Sequence, residues 1–276
     1  PPPHIQRHAH VSSPEAYAAM HAASLADPAK FWGDIASDFV WHRRWDSVVD
    51  ADLTVPSVEW FRGGQLNITV NALDRHIAAG YGARPAVTFE ADDGASAVYT
   101  FGEVLEQVCA YAQVLESVGV TKGDRVSLCM PMTPQLLFAM LACARIGAVH
   151  SVIFAGFSAE AVAERIVNCG SKVVVTTDAG LRGGKVVPLK AVVNTAIELA
   201  AARGATVEKV LVTHRAGAGS YEGSPGWVHG RDVSLDRGEA AVVGAVARRA
   251  VSRRHMHHAA LFVCARSPSH RLAPLA

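Results

Sequence analysis

The stretch RVSLCMPMTPQLLFAMLACARIGAVHSVIF, Arg125 to Phe154, decides the fold. It opens with the apolar run Arg125–Met130, passes Pro131 and Pro134, and continues as the apolar segment Pro134–Ile146. Gly147 stops that segment, and a second run, Ala148–Phe154, follows. Two short apolar runs flanking a longer apolar segment, punctuated by Pro and Gly, read as strand, helix, strand. The most apolar part, Leu136 to Ala144, ends at Arg145 and is too short to cross a bilayer of about 30 Å. It reads as a buried helix.

The same alternation continues downstream. Lys172–Thr177 and Lys209–His214 are further strand-like runs, with Ala159–Asn168 and Val187–Ala202 as helices. Apolar strands separated by helices predict an α/β fold, a parallel sheet with flanking helices and right-handed crossovers. Upstream, Ala86–Phe89 and Ala97–Phe101 flank Asp92-Asp93-Gly94, a hairpin signal. Thr100 and Glu103 form a capping box for a helix carrying Val104, Val108, Tyr111, Ala112 and Leu115, which Gly119 ends. Leu73 and Ile77 mark one apolar helix face. Residues 12–60 read as helical and aromatic, with helix starts at Ser13-Pro14 and Asp27-Pro28. Four of the five tryptophans, Trp32, Trp41, Trp45 and Trp60, lie there and predict a packed aromatic subcore. The expected organisation is a helical, Trp-rich segment over 1–66, an α/β region over 67–232 and a tail over 233–276.

Composition narrows the function. The chain has 276 residues, half of them apolar and 18% charged, with a net charge of +1. That excludes wholesale disorder and a globally basic nucleic-acid binder. The five cysteines are scattered and never in a CxxC pair, which predicts a reducing compartment, the cytoplasm. The chain begins Pro1-Pro2-Pro3, so a removed targeting segment stays open as an alternative. The tail is unlike the rest. From residue 240 on it holds six arginines and no Asp, Glu or Lys, leaving 20 of the 26 basic and all 25 acidic residues before it. His255, His257 and His258 in this tail form a weak metal candidate, for which adventitious binding is the reading.

Ligand sites of open α/β sheets lie in the loops after the strand C-termini. One such loop is Phe154-Ala155-Gly156-Phe157-Ser158, where Gly156 permits close backbone approach and Ser158 can cap the next helix. Glu160 would oppose a phosphate at that helix start. A structural turn and a ligand loop both remain open. The second loop is Asp178-Ala179-Gly180-Leu181-Arg182-Gly183-Gly184-Lys185. Its two cations suit phosphate contact, and a solvated turn is the equal alternative. It is not a Walker A loop, because Ala179 and Val186 stand where Gly and Ser or Thr are needed. No catalytic triad, nucleophile elbow or metal-ligand set is evident. Cys143 and Cys169 read as inert packing, and the sequon Asn67-Ile68-Thr69 as unused.

Several linked segments resemble AMP-forming acetyl-CoA synthetase. They are Phe31-Trp32, Trp60-Phe61, Leu66-Asn67, Asn71 to His76, Met130 to Phe154, Gly156 to Ile166, Gly180 to Lys185 and Gly230-Arg231-Asp232. The resemblance covers about residues 13–232. It implies part of the large N-terminal domain of adenylate-forming enzymes. It also implies the family reaction, in which acetate and ATP with magnesium give acetyl-adenylate and the CoA thiol then takes the acetyl group. It places Gly156, Arg182, Gly183, Gly184 and Lys185 at the CoA site and assigns no catalytic or metal-binding residue to this chain. The family's phosphate loop, of the form TSGSTGxPKG, is absent from the 276 residues. The chain is therefore expected to be an inactive N-terminal fragment of an acetate–CoA ligase, with an out-of-frame or unspliced, disordered tail. A short isoform that binds CoA weakly or associates with full-length subunits is the alternative. No specific nucleic acid and no membrane are expected as partners, and a nucleic-acid arm in the tail ranks last.

Overall fold

Three proline-led helices open the chain: α1 (Pro3–Gln6), α2 (Pro14–Ala26) and α3 (Pro28–Ser37). The computed structural model describes residues 2–215 and 226–236, which fall into two units, 2–66 and 67 onward. Proline suits the first helical turn because its missing N–H would be unpaired there anyway. Ser13 Oγ accepts the Ala16 N–H at 3.1 Å, and Asp27 Oδ1 accepts the Lys30 N–H at 2.9 Å.

The first unit is not helical throughout, which corrects the sequence reading. β1 (Ser47–Asp52) and β2 (Ser57–Arg62) form an antiparallel hairpin with Val49 opposite Trp60. β-Branched and aromatic residues favour this pleated ribbon over a helix. The aromatic subcore joins both structures: Trp32 on α3 meets Trp60 on β2 at 6.3 Å, and Trp41 meets Trp45 at 4.8 Å. The Trp41 indole N–H donates to the Ala36 carbonyl at 2.7 Å. Phe61 holds a φ of 51°, a costly setting for a bulky residue, and its ring lies 5.2 Å from Trp45 and 5.5 Å from Trp41.

The second unit begins with two π turns, Val70–Asp74 and Ile77–Tyr81, in place of the regular helix expected from Leu73 and Ile77. A π turn takes up extra backbone per turn, and two apolar positions four apart do not distinguish it from an α turn. β3 (Pro85–Glu90) and β4 (Ser96–Thr100) form the expected hairpin, with Gly94 at a φ of 81° in its turn. Thr100 starts α4 (Phe101–Ser117) with a full capping box. Its Oγ1 accepts the Glu103 N–H at 3.2 Å, and Glu103 Oε2 accepts the Thr100 N–H at 2.8 Å.

Then come β5 (Arg125–Met130), α5 (Pro134–Ile146), β6 (Val149–Phe154), α6 (Ala159–Cys169) and β7 (Val173–Thr177). A short hairpin of β8 (Gly180–Arg182) and β9 (Lys185–Val187) precedes α7 (Leu189–Ala201), β10 (Lys209–Thr213) and β11 (Asp232–Ser234). Five of these strands form a parallel sheet in the order β11-β10-β7-β5-β6. The boundary drawn after residue 232 falls inside β11: Val233 pairs with Leu211, Ser234 pairs with Val212, and Leu235 is fully buried. The tail from residue 237, with His255, His257, His258 and the Arg-rich stretch, lies outside the described residues.

Side chains alternate across the sheet, as the pleat requires. Val126, Leu128, Met130, Val173, Val175 and Leu211 face one core shared with α4 and α5. Cys129, Val174, Val210 and Val212 face a second core shared with α6 and α7. The sheet is thus covered on both sides over its central strands, while Val149, Val152 and Phe154 on the edge strand β6 stay exposed. Because β5 leads to β6 on one side while β7 leads to β10 on the other, the strand order reverses between β5 and β7. Such a reversal opens a crevice at the strand C-termini.

Two ionic ties fasten peripheral chain to this sheet. Arg145 on α5 is 3% exposed and grips Asp74 with both Nη atoms, at 2.9 and 3.1 Å. Asn67 donates from Nδ2 to the Arg145 carbonyl at 3.0 Å, so the sequon asparagine is committed to closing the end of α5. On the other side Asp232 receives Lys190 Nζ at 2.7 Å and Arg231 Nε at 2.8 Å, which ties β11 to α7. Among the described residues no helix is long and apolar enough to cross a membrane.

Candidate functional site

At the C-terminal ends of the parallel strands lies a cavity of about 290 Å³. Met132 after β5, Phe154 at the end of β6, Gly156 just beyond it, Arg182 at the end of β8 and Arg215 after β10 all line it. The two loops singled out in the sequence therefore reach one place, although Gly156 and Arg182 have 25 residues between them in the chain. The contact is close. A Cβ added to Gly156 would stand 2.6 Å from Arg182 Nη1 and 2.5 Å from Phe154 Cε1. A side chain there would have to push aside the Arg182 guanidinium or the Phe154 ring, so glycine is what lets the two meet over this backbone.

The Gly180–Lys185 stretch is a hairpin, where the sequence suggests an open loop. Gly183 and Gly184 form its two-residue turn with φ of 54° and 73°, and Arg182 stands directly opposite Lys185. Positive φ at both central residues is the setting that suits strand twist, and glycine adopts it without strain. Opposed residues project to the same face of a ribbon, so two cations sit side by side. Like charges opposed across a ladder repel. An anion bridging them would relieve that repulsion. Lys185 is exposed and is not part of the cavity wall, whereas Arg182 is part of both arrangements.

The start of α6 offers less to an anion. Ser158 Oγ accepts the Ala161 N–H at 3.4 Å. Backbone N–H and Ser158 hydrogen bonds hold the Glu160 carboxyl below its usual range, so a carboxylate already occupies this helix end. Glu90 and Asp92 also line the cavity, and their charge would disfavour a phosphate on their side of it.

Three features escaped the sequence reading. Phe154 and Phe157 pack edge to face at 5.5 Å, and each carries a guanidinium on its ring, Arg182 at 5.3 Å and Arg165 at 4.3 Å. The spacing FAGF, two rings either side of a glycine, is the one signal that pointed there. Arg215 enters the cavity from the end of β10. Beside it, Asp178 accepts the Arg215 N–H at 2.9 Å and pairs with His214 Nδ1 at 2.9 Å, while Asp236 accepts the His214 N–H at 2.9 Å. Burial pushes the Asp236 carboxyl up. Among the described residues no group of three His, Cys, Asp or Glu side chains is placed to hold a metal ion. Cys143 is buried, and burial pushes its thiol up to about 12, so it does not act as a nucleophile.

Comparison with known proteins places these features in context. Residues 74–259 match the family described as AMP-binding enzyme, and residues 17–72 match acetyl-coenzyme A synthetase N-terminus. The chain is 45% identical over 229 residues to the chloroplastic/glyoxysomal acetyl-coenzyme A synthetase of Arabidopsis thaliana, covering 81% of this chain and 31% of that protein. It is 46% identical over 244 residues to acetyl-coenzyme A synthetase of Rhizobium rhizogenes, covering 87% and 36%. Among solved structures, acetoacetyl-CoA synthetase from Streptomyces lividans matches with a TM-score of 0.70 and 26% identity, over 81% of this chain and 33% of that one. The chain thus spans about a third of the length of the relatives it matches.

Proposed function

The chain belongs to the AMP-binding enzyme family, and from that membership we propose that it is the N-terminal part of an acetate–CoA ligase. The complete enzyme joins acetate to ATP, forming acetyl-adenylate and releasing pyrophosphate. The CoA thiol then attacks the activated carbonyl, and AMP leaves. In this reading the chain's own contribution is the wall of the CoA site. Arg182 and Lys185 hold phosphate oxygens, Gly183 and Gly184 shape the turn that presents them, and Gly156 lets the ligand approach the backbone. Arginine suits phosphate because its planar fork donates two parallel hydrogen bonds.

The observation that carries the reading is the meeting of Gly156 and Arg182 at the C-terminal ends of the sheet. Calorimetric titration of the 276-residue chain with CoA, and with CoA lacking the 3′-phosphate, tests it. Saturable binding that weakens without the 3′-phosphate supports the reading. No saturable uptake of either compound overturns it. Adenylation by this chain alone is not expected, since the TSGSTGxPKG loop is absent from its sequence. Acetate-dependent exchange of pyrophosphate into ATP by the purified chain would overturn that part.

A further inference from the structure

We infer that Arg165 and Phe157 are positioning residues that set the pose of the Arg182 guanidinium. The inference rests on the CoA reading above and names residues outside the ligand-contacting set. Four side chains stand in series. Arg165 on α6 lies 4.3 Å from the centre of the Phe157 ring, Phe157 meets Phe154 at 5.5 Å with planes 80° apart, and Arg182 lies 5.3 Å from the centre of Phe154. Each contact uses the geometry its chemistry favours: cation over ring face, and ring edge to ring face.

The two ends of the series differ in a way that gives it direction. Arg165 is half-buried, and its Nη1 donates to the Ala161 carbonyl at 2.8 Å, so its own helix holds it. Arg182 is exposed at the tip of a hairpin whose turn is two glycines. An exposed arginine samples many rotamers, and fixing it costs entropy when a ligand binds. The Phe154 ring offers Arg182 a resting face beside Gly156, and Phe157, clamped by Arg165, keeps that ring in place. The result is a guanidinium already turned toward the space over Gly156 before any phosphate arrives.

The test compares the wild-type chain with Arg165→Met, Arg165→Lys and Phe157→Leu. Methionine keeps the apolar stem of Arg165 and removes its charge. The Nε–H signal of Arg182 is followed by NMR without ligand, CoA affinity by calorimetry and folding by thermal melting. Arg165→Met is expected to melt like wild type, to shift or broaden the Arg182 signal, and to weaken CoA binding roughly two- to fivefold, the range of an exposed cation–ring contact. Arg165→Lys should restore part of the affinity. Phe157→Leu should reproduce the loss, and adding Arg165→Met to it should cost little more. An Arg182 signal unchanged in Arg165→Met overturns the inference, whether or not CoA binds. A wild-type chain that takes up no CoA overturns the CoA reading itself, and an unchanged affinity in Arg165→Met while wild type binds overturns only the positioning role.

Discussion

Arg182 Nη1 lies so near Gly156 that a single methyl on the glycine would stand 2.6 Å from it. The same methyl would meet the Phe154 ring at 2.5 Å. Gly156→Ala must therefore displace the ring or the guanidinium, because neither distance is tolerable. Both displaced groups are exposed and can swing aside at little cost to folding, so the loss falls on the pose of the guanidinium. The expected outcome is CoA affinity lowered roughly tenfold with melting temperature little changed, read by calorimetry and thermal melting.

Arg145 and Asp74 join α5 to the first π turn through two parallel hydrogen bonds. Arg145 also bonds Thr69 Oγ1 at 3.3 Å. Removing one partner of a buried pair strands the other without its counter-charge, at a cost of about 3–5 kcal/mol. Asp74→Asn is expected to lower unfolding stability by about 3 kcal/mol, read by urea denaturation, since Asp74 keeps some exposure. Replacing both with apolar residues should cost less than the single change.

The two carboxyls around β11 titrate in opposite senses. Burial alone would raise Asp232, but hydrogen bonds from Arg231, Lys190 and the Val228 N–H outweigh it and hold the carboxyl low. Its stabilisation is present above the unfolded value of about 3.9 and is lost as pH falls through the lower folded value. Asp232→Asn should melt well below wild type near about pH 7, with the gap closing toward about pH 3.

Burial raises Asp236, which reverses the sign. The folded chain there binds a proton more readily than the unfolded chain, so stability falls as pH rises through the interval between the two values. Asp236→Asn keeps an oxygen for the His214 N–H and removes the buried charge. It should melt at or above wild type near about pH 7 and lose that advantage below about pH 4.

Thiol labelling checks the two cores separately. Burial pushes the thiols of Cys129 and Cys143 up to about 11 and about 12. Cys143 belongs to the core with α4 and α5, Cys129 to the core with α6 and α7. Neither is expected to react with a thiol reagent near about pH 8 until the chain unfolds, because only the thiolate attacks. Mass mapping after graded urea should show whether the two cores open together.

The parallel sheet was legible because its strands are apolar on both faces, and Pro134, Gly147 and Thr100 mark element ends through backbone chemistry. Short-range rules carry that much. The hairpin at Ser47–Arg62 was not legible, since tryptophans pack equally well from helix or strand and nothing local decides between them. Nor was the hairpin at Gly180–Val187, whose three-residue strands are too short for alternation to register. At the site, Gly156 and Arg182 were visible as residues of the right kind. Their contact was not, because it depends on β6 and β7 both lying beside β5. Arg165 was hidden for a different reason. A cation on a helix reads as a solvated charge until the ring beneath it is seen.

The order β11-β10-β7-β5-β6 sets a timetable for the chain as it leaves the ribosome. β5 gains β6 as a neighbour once synthesis passes Phe154, but its other edge waits for β7, which starts only at Val173. During that interval a two-strand ribbon with apolar faces has one central edge open, a site for mispairing. α6 emerges in the gap, ahead of β7, and its apolar side faces the same core as Cys129 and Ile153. The last β5 partner thus enters a slot whose floor has already been laid, and fast translation through residues 155–172 would shorten the time that edge stands open.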